Sequence, residues 1–125
     1  MNLGLIAGYG GTQRLIQYIG KTKAMELHMT GEPITAQQAL DLGLVNYVVP
    51  QDQLIAKCIE LLEKIMSKSP MAIKSVVKSI NAYFENNTDG FKVENEEFGK
   101  CCATEDFKEG INAFMEKRKT TFIGK

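Results

Sequence analysis

The sequence lacks an excess of charge of either sign, and it lacks any long apolar run. Fifteen Lys and Arg residues balance fifteen Asp and Glu residues in a chain of 125, so the formal net charge is zero. A chain without a net field has no general attraction to nucleic acid or to an anionic membrane, so we predict neither partner. No stretch reaches the length of a membrane-spanning helix, and no signal-peptide pattern opens the chain.

Cysteine and histidine are also scarce. The three cysteines, of which Cys101 and Cys102 are adjacent, form neither a disulfide framework nor a CxxC metal pattern. We therefore expect a cytoplasmic protein without a bound metal. The single histidine, His28, has no serine or cysteine motif around it, so we interpret it as a helix-face residue rather than a catalyst.

What the sequence does contain is a series of helix signals in a chain of single-domain length. Residues 35–38 have the spacing of a capping box, Ser69-Pro70 is a cap followed by a first-turn proline, and Thr104 precedes two acidic residues. Residues 44–49 alternate and are β-branched, as expected of a short strand. These patterns predict a mainly α fold with one or two short β-strands.

Three motifs resemble segments of enoyl-CoA hydratases, members of the crotonase superfamily. Residues 3–15, LGLIAGYGGTQRL, resemble the family segment LGxxPGxGGTQRL, with Ala7 in place of the usual proline. Residues 30–45 resemble TGxxIxAxxAxxxGLV, and residues 104–119 resemble the hydratase ending TxDxxEGxxAFxEKR. The order and spacing are those of the family, and the ending is most similar to short-chain enoyl-CoA hydratases and 3-hydroxybutyryl-CoA dehydratases.

By this resemblance, the chain corresponds to the C-terminal half of the family enzyme. The family fold is a spiral of ββα units followed by helices that hold trimers together. Residues 1–49 are then expected to be the last part of the spiral core, and residues 50–125 the helical trimerisation region. The resemblance therefore also implies that the chain self-associates.

The resemblance implies a reaction as well. The family adds water to 2-enoyl-CoA thioesters, using two glutamates for proton transfer and two backbone N–H groups that stabilise the enolate. Both N–H groups and one glutamate belong to the preceding half, and the second glutamate would fall one residue before Met1. We therefore expect the chain alone to be inactive and to contribute no catalytic side chain.

Three residues are site candidates by resemblance only. The backbone N–H of Gly8 would help to hold the attacking water, while Phe114 and Lys117 would reach the adenine and phosphate end of coenzyme A. Acyl-CoA would be the substrate, and no tightly bound cofactor is expected. Each residue also has a structural interpretation: Gly8 as part of a strand-to-helix turn, Phe114 as a core residue, and Lys117 as a solvated charge at a helix end.

Two alternative functions remain open from the sequence. One is a stand-alone helical oligomerisation or regulatory module that keeps the trimer-forming surface. The other is a fragment of an enoyl-CoA isomerase, since the carboxylates that separate the two activities would lie outside these residues.

Overall fold

The computed structural model describes residues 3–125, and the chain divides into two compact units, Met1–Leu54 and Ile55–Lys125. The first unit contains three helices and a 3₁₀ turn: α1 (Gly11–Ile19), α2 (Lys21–Thr30), α3 (Ala36–Asp41) and the turn Gln51–Gln53. From the boundary onward come α4 (Leu54–Met66), α5 (Pro70–Ala82), α6 (Gly90–Cys102) and α7 (Glu105–Glu116). Helix α1 packs on α2, and α6 packs on both α5 and α7.

The predicted helix starts are confirmed where a side chain caps the backbone. The Thr35 hydroxyl accepts from the Gln38 N–H at 3.2 Å, and the Thr35 N–H donates to the Gln38 side chain at 2.8 Å, which completes the capping box of α3. Ser69 caps α5 with Pro70 in its first turn, and Thr104 caps α7. Each cap satisfies backbone N–H groups that lack a partner within the helix.

The predicted β-strands are wrong, because residues 3–125 form helices and connecting segments without a strand. At the start of the predicted strand 44–49, the N–H groups of Leu44 and Val45 both donate to the carbonyl of Ala39, at 2.8 and 3.4 Å. These two N–H groups are bonded to the C-terminal end of α3, so they cannot donate to a neighbouring strand. A β-branched alternating segment favours an extended backbone, but a strand also needs a second strand to pair with.

The buried apolar residues of both units are small. They are Ala24 and Ala39 in the first unit and Ala82 and Ala113 in the second. Larger apolar side chains stay exposed, and Met66, Phe91 and Phe98 of the second unit are 81%, 82% and 68% exposed. The packing of each unit therefore leaves these apolar side chains uncovered, and exposed apolar surface favours interaction with a partner.

None of the helices in residues 3–125 combines the length and the apolar character that crossing a membrane requires. The assignment of residues 1–49 to a spiral core and of residues 50–125 to a trimerisation region concerns a larger assembly, and it stays a prediction.

Candidate functional site

Gly8 lies at the start of a tight turn that leads into α1. The N–H of Gly11 donates to the carbonyl of Gly8 at 2.9 Å, and the two residues between them, Tyr9 and Gly10, both have positive φ, 52° and 75°. Positive φ at both central positions defines a type I′ turn. Gly8 itself is exposed, and its N–H has no acceptor within residues 3–125. The Gly8 N–H is therefore available to an acceptor that is not part of residues 3–125, such as a water molecule or a ligand.

Phe114 lies on α7 in the second unit and is 82% exposed. It lines a cavity of about 350 Å³ whose apolar wall also includes Phe107, Ile111 and Phe122. Phe107 and Ile111 are partly exposed as well, at 41% and 48%. Within this chain, Phe114 is thus not a core residue, and its ring is accessible to a partner or a ligand.

Lys117 ends α7 in the left-handed conformation, with φ 56° and ψ 36°. Its N–H donates to the carbonyl of Phe114 at 3.2 Å, and the next N–H, of Arg118, donates to Ala113 at 3.0 Å. The Lys117 side chain is exposed and forms no ion pair within residues 3–125. Phe114 and Lys117 therefore both lie at the C-terminal end of α7, whereas Gly8 belongs to the other unit.

Asp106 holds the C-terminal segment, residues 118–125, against α7. Its carboxylate is 2% exposed and accepts from the Ser69 hydroxyl at 2.6 Å, from the Ile123 N–H at 2.7 Å and from the Gly124 N–H at 3.1 Å. Desolvation raises the pKa of Asp106, but these hydrogen bonds outweigh it and leave the pKa below its ordinary value. The bonds join the start of α5, the start of α7 and the chain end.

Glu109, one turn further along α7, holds the same segment. The guanidinium of Arg118 binds it in a fork at 2.6 and 2.8 Å, and the Thr121 N–H donates to it at 2.8 Å. The bonds from Arg118 and then from Thr121 lower the pKa of Glu109 to about 2. A Cβ on Gly110 would lie 3.8 Å from the ring of Phe122, which is an ordinary contact. The threonine, aspartate and glutamate of the motif TxDxxEG therefore have structural roles, which the sequence analysis did not assign.

Glu97, on α6, is a second buried carboxylate. It accepts from Lys100 at 2.6 Å, from Lys78 on α5 at 2.7 Å and from Ser75 on α5 at 3.0 Å. The hydrogen bonds from Lys100 and Lys78 lower the pKa of Glu97 to about 2. This cluster joins α5 to α6, and its carboxylate stays ionised at neutral pH.

The remaining chemically reactive side chains form no obvious centre. His28 lies on α2 with its Nε2 buried and without a hydrogen-bond partner in the described residues. The cysteines Cys58, Cys101 and Cys102 are all free thiols. Among residues 3–125, no three His, Cys, Asp or Glu side chains are arranged to hold a metal ion.

Known proteins similar to this chain identify its family. The family model described as enoyl-CoA hydratase/isomerase matches residues 1–125, and the chain belongs to that family. A probable mitochondrial enoyl-CoA hydratase of Dictyostelium discoideum is 44% identical over 100% of this chain and 46% of its own length. A probable enoyl-CoA hydratase of Bacillus subtilis is 43% identical over 99% of this chain and 49% of its own length.

Solved structures agree with this family assignment. The enoyl-CoA hydratase of Bacillus anthracis superposes with a TM-score of 0.92 at 40% identity, covering 99% of this chain and 48% of that one. The resemblance to the crotonase superfamily is thus confirmed. The chain spans about half the length of the relatives that it matches.

Proposed function

We propose that this chain supplies one half of an enoyl-CoA hydratase, the half that is C-terminal in the family enzyme. The other half belongs to the same polypeptide or to a separate one. The observation that carries the proposal is a match of the whole chain to about half of each curated hydratase. The order of the three sequence motifs, which resembles that of the family's C-terminal segments, supports it. The exposed apolar side chains support it, since a second half would cover such surface.

The names of further relatives support hydration rather than isomerisation. A protein of Syntrophomonas wolfei that is 38% identical is a crotonyl-CoA hydratase, and one of Clostridium acetobutylicum that is 41% identical is a short-chain-enoyl-CoA hydratase. We therefore propose a 2-enoyl-CoA thioester as the substrate of the completed enzyme. In that enzyme, this chain contributes the Gly8 amide and the α7 end, and the two glutamates come from the other half.

Hydration of crotonyl-CoA tests the proposal. The chain is assayed alone and after co-expression with either half of the Bacillus subtilis relative. Activity is expected only with the N-terminal half of that relative, because that half supplies the acid/base and oxyanion groups. Activity with the C-terminal half instead would reverse the assignment of halves. An inactive mixture that still assembles would favour the oligomerisation module.

Lys117 is proposed to contact the phosphate end of the substrate in the completed enzyme. The support is its position one turn from Phe114 and its freedom from ion pairs within residues 3–125. An exposed ion pair contributes about 0–1 kcal/mol, so Lys117→Ala should raise KM for crotonyl-CoA by up to about fivefold. Turnover should change little, because binding lost equally from the ground and transition states leaves kcat unaltered.

Lys119→Ala is the matched control for this substitution. Lys119 is exposed, carries the same charge and lies two residues further along the chain. Its replacement changes the net charge equally but should leave KM unaltered. Equal KM values for both variants, or a fall in kcat confined to Lys117→Ala, would contradict the assignment.

We also propose that the chain self-associates through its exposed apolar surface, which includes Met66, Phe91 and Phe98. Sedimentation equilibrium at micromolar concentration should find a dimer, a trimer or a larger species. Added sodium chloride should not dissociate it, since salt screens exposed charges rather than apolar contacts. A monomer throughout that concentration range would count against the proposal.

A further inference from the structure

The turn before α1 places a tyrosine in an uncommon backbone conformation. Tyr9 has φ 52°, in the left-handed region that bulky side chains rarely adopt, and Gly10 follows with φ 75°. Such residues persist only when their surroundings hold them, and they cluster at functional sites. The Tyr9 side chain is fully exposed, so packing of its ring does not hold the turn. A different group must fix this backbone.

The side chain of Arg14 lies over the turn. Its Nη2 donates to the carbonyl of Tyr9, and its backbone N–H donates to the carbonyl of Gly10 at 2.9 Å. A Cβ on Gly10 would lie only 3.0 Å from Nη2 and 3.2 Å from Nε, so the missing side chain at Gly10 makes room for the guanidinium. The side chain of Arg14 therefore holds the Tyr9 carbonyl, while the bond of its backbone N–H to the next carbonyl is part of the helix.

Neither an ion pair nor the helix dipole accounts for an arginine at this place. Arg14 forms no ion pair with an acidic residue within the described part of the chain. A cation near the start of a helix also faces the positive end of the helix dipole, which disfavours it. The guanidinium donates instead to the Tyr9 carbonyl, which belongs to the peptide between Tyr9 and Gly10 in the middle of the turn.

We propose that Arg14 is a positioning residue, which fixes the Gly8–Gly11 turn and through it the Gly8 amide that holds the attacking water. The inference rests on the proposed role of Gly8 in the completed enzyme. Arg14 does not touch the substrate in this proposal. It acts through the Tyr9 carbonyl, because the peptide that carries this carbonyl cannot rotate while the guanidinium binds it.

The first arm of the test uses the chain itself. Amide hydrogen exchange is followed by NMR for the Gly11 N–H, which bonds to the Gly8 carbonyl across the turn. Arg14→Ala should accelerate this exchange by about tenfold, since the turn then opens locally more often. Arg14→Lys keeps one donor and should recover part of the protection. Gln13→Ala, a neighbour whose side chain bonds to Thr12 rather than to the turn carbonyls, should change nothing.

The second arm uses the completed enzyme. Arg14→Ala should lower kcat by about tenfold with KM unaltered, because a displaced amide no longer holds the water in line. Gly10→Ala should have a similar effect, since its Cβ would contact the guanidinium and its φ would be strained. The double variant should be no worse than the single ones if both act through one turn.

The two arms separate the inference from the proposed function. If the completed enzyme is inactive with its natural sequence, the proposed function fails while the exchange measurement still decides whether Arg14 fixes the turn. Unchanged Gly11 exchange in Arg14→Ala overturns the inference. Faster exchange together with an unchanged kcat in the active enzyme also overturns it, because the turn would then not position the Gly8 N–H for the attacking water.

Discussion

The isolated 125-residue chain should hydrate crotonyl-CoA no faster than buffer does, and the N-terminal half of a relative should restore the reaction. The family resemblance places both acid/base glutamates and both oxyanion donors in the other half. A general acid/base contributes about 10²–10⁴ to the rate, and one oxyanion donor about 10²–10³. Their effects do not multiply cleanly, but the loss of all four leaves no plausible catalyst.

The four most strongly hydrogen-bonded carboxylates within residues 3–125 are unsuited to replace the pair of catalytic glutamates. Glu60, Glu97 and Glu109 each accept hydrogen bonds from lysine or arginine, and each has its pKa lowered to about 2. An effective acid or base has a pKa near the working pH, and a carboxyl at about 2 is ionised and weakly basic at neutral pH. Asp106 has its oxygens occupied by the chain end and Ser69.

The control for this prediction is the full-length Bacillus subtilis relative, prepared in the same way as the chain. Contaminating host hydratase is excluded by repeating the purification with a second tag. A rate for the isolated chain within about a hundredfold of the control would contradict the prediction, since a single acid/base group accounts for that much.

The sequence predicted those parts of the fold that depend on neighbouring residues. The capping box of α3 spans residues 35–38, and the caps at Ser69 and Thr104 act within three residues. Both partners of such a cap lie close together in the sequence, so the sequence alone is enough to predict it. The strand at residues 44–49 depends on a partner strand, which no local pattern supplies, and here the prediction was wrong.

The buried carboxylates also depend on partners that are distant in the sequence. Asp106 bonds to Ser69, 37 positions away, and to Ile123, 17 positions away. Glu97 bonds to Ser75 and Lys78, at separations of 22 and 19. No spacing rule connects residues at these separations, so both clusters emerged only from the structure. The proposed roles of Gly8, Phe114 and Lys117 stay predictions, because their function depends on a substrate and a second half.

Asp106→Asn should loosen residues 123–125 against α7, while the bonds of Glu109 still hold the start of the C-terminal segment. The carboxylate accepts from one hydroxyl and two backbone N–H groups, whereas an amide offers one oxygen and adds two donors. The side-chain nitrogen of the asparagine would then face one of these donors, and that donor would be left buried without an acceptor. Exchange of the Ile123 and Gly124 amides should accelerate by about tenfold to a hundredfold.

Low pH should accelerate the exchange of the Ile123 and Gly124 amides, as Asp106→Asn does. The pKa of Asp106 lies below its ordinary value of 3.8, so the carboxylate bonds are intact at neutral pH. Their contribution to stability is fully present above the unfolded pKa and is lost as the pH falls through the lower folded pKa. The pH at which Ile123 and Gly124 lose protection should therefore lie below 3.8.

Glu105→Gln is the matched control for Asp106→Asn. Both substitutions remove one negative charge from the first turn of α7, so any effect of the helix dipole is shared. Glu105 is exposed and pairs with Lys108 of its own helix, at 2.7 Å, so its loss should leave the chain end in place. Equal exchange of Ile123 in the two variants would show that the charge at the helix start, and not the buried carboxylate, holds the C-terminal segment.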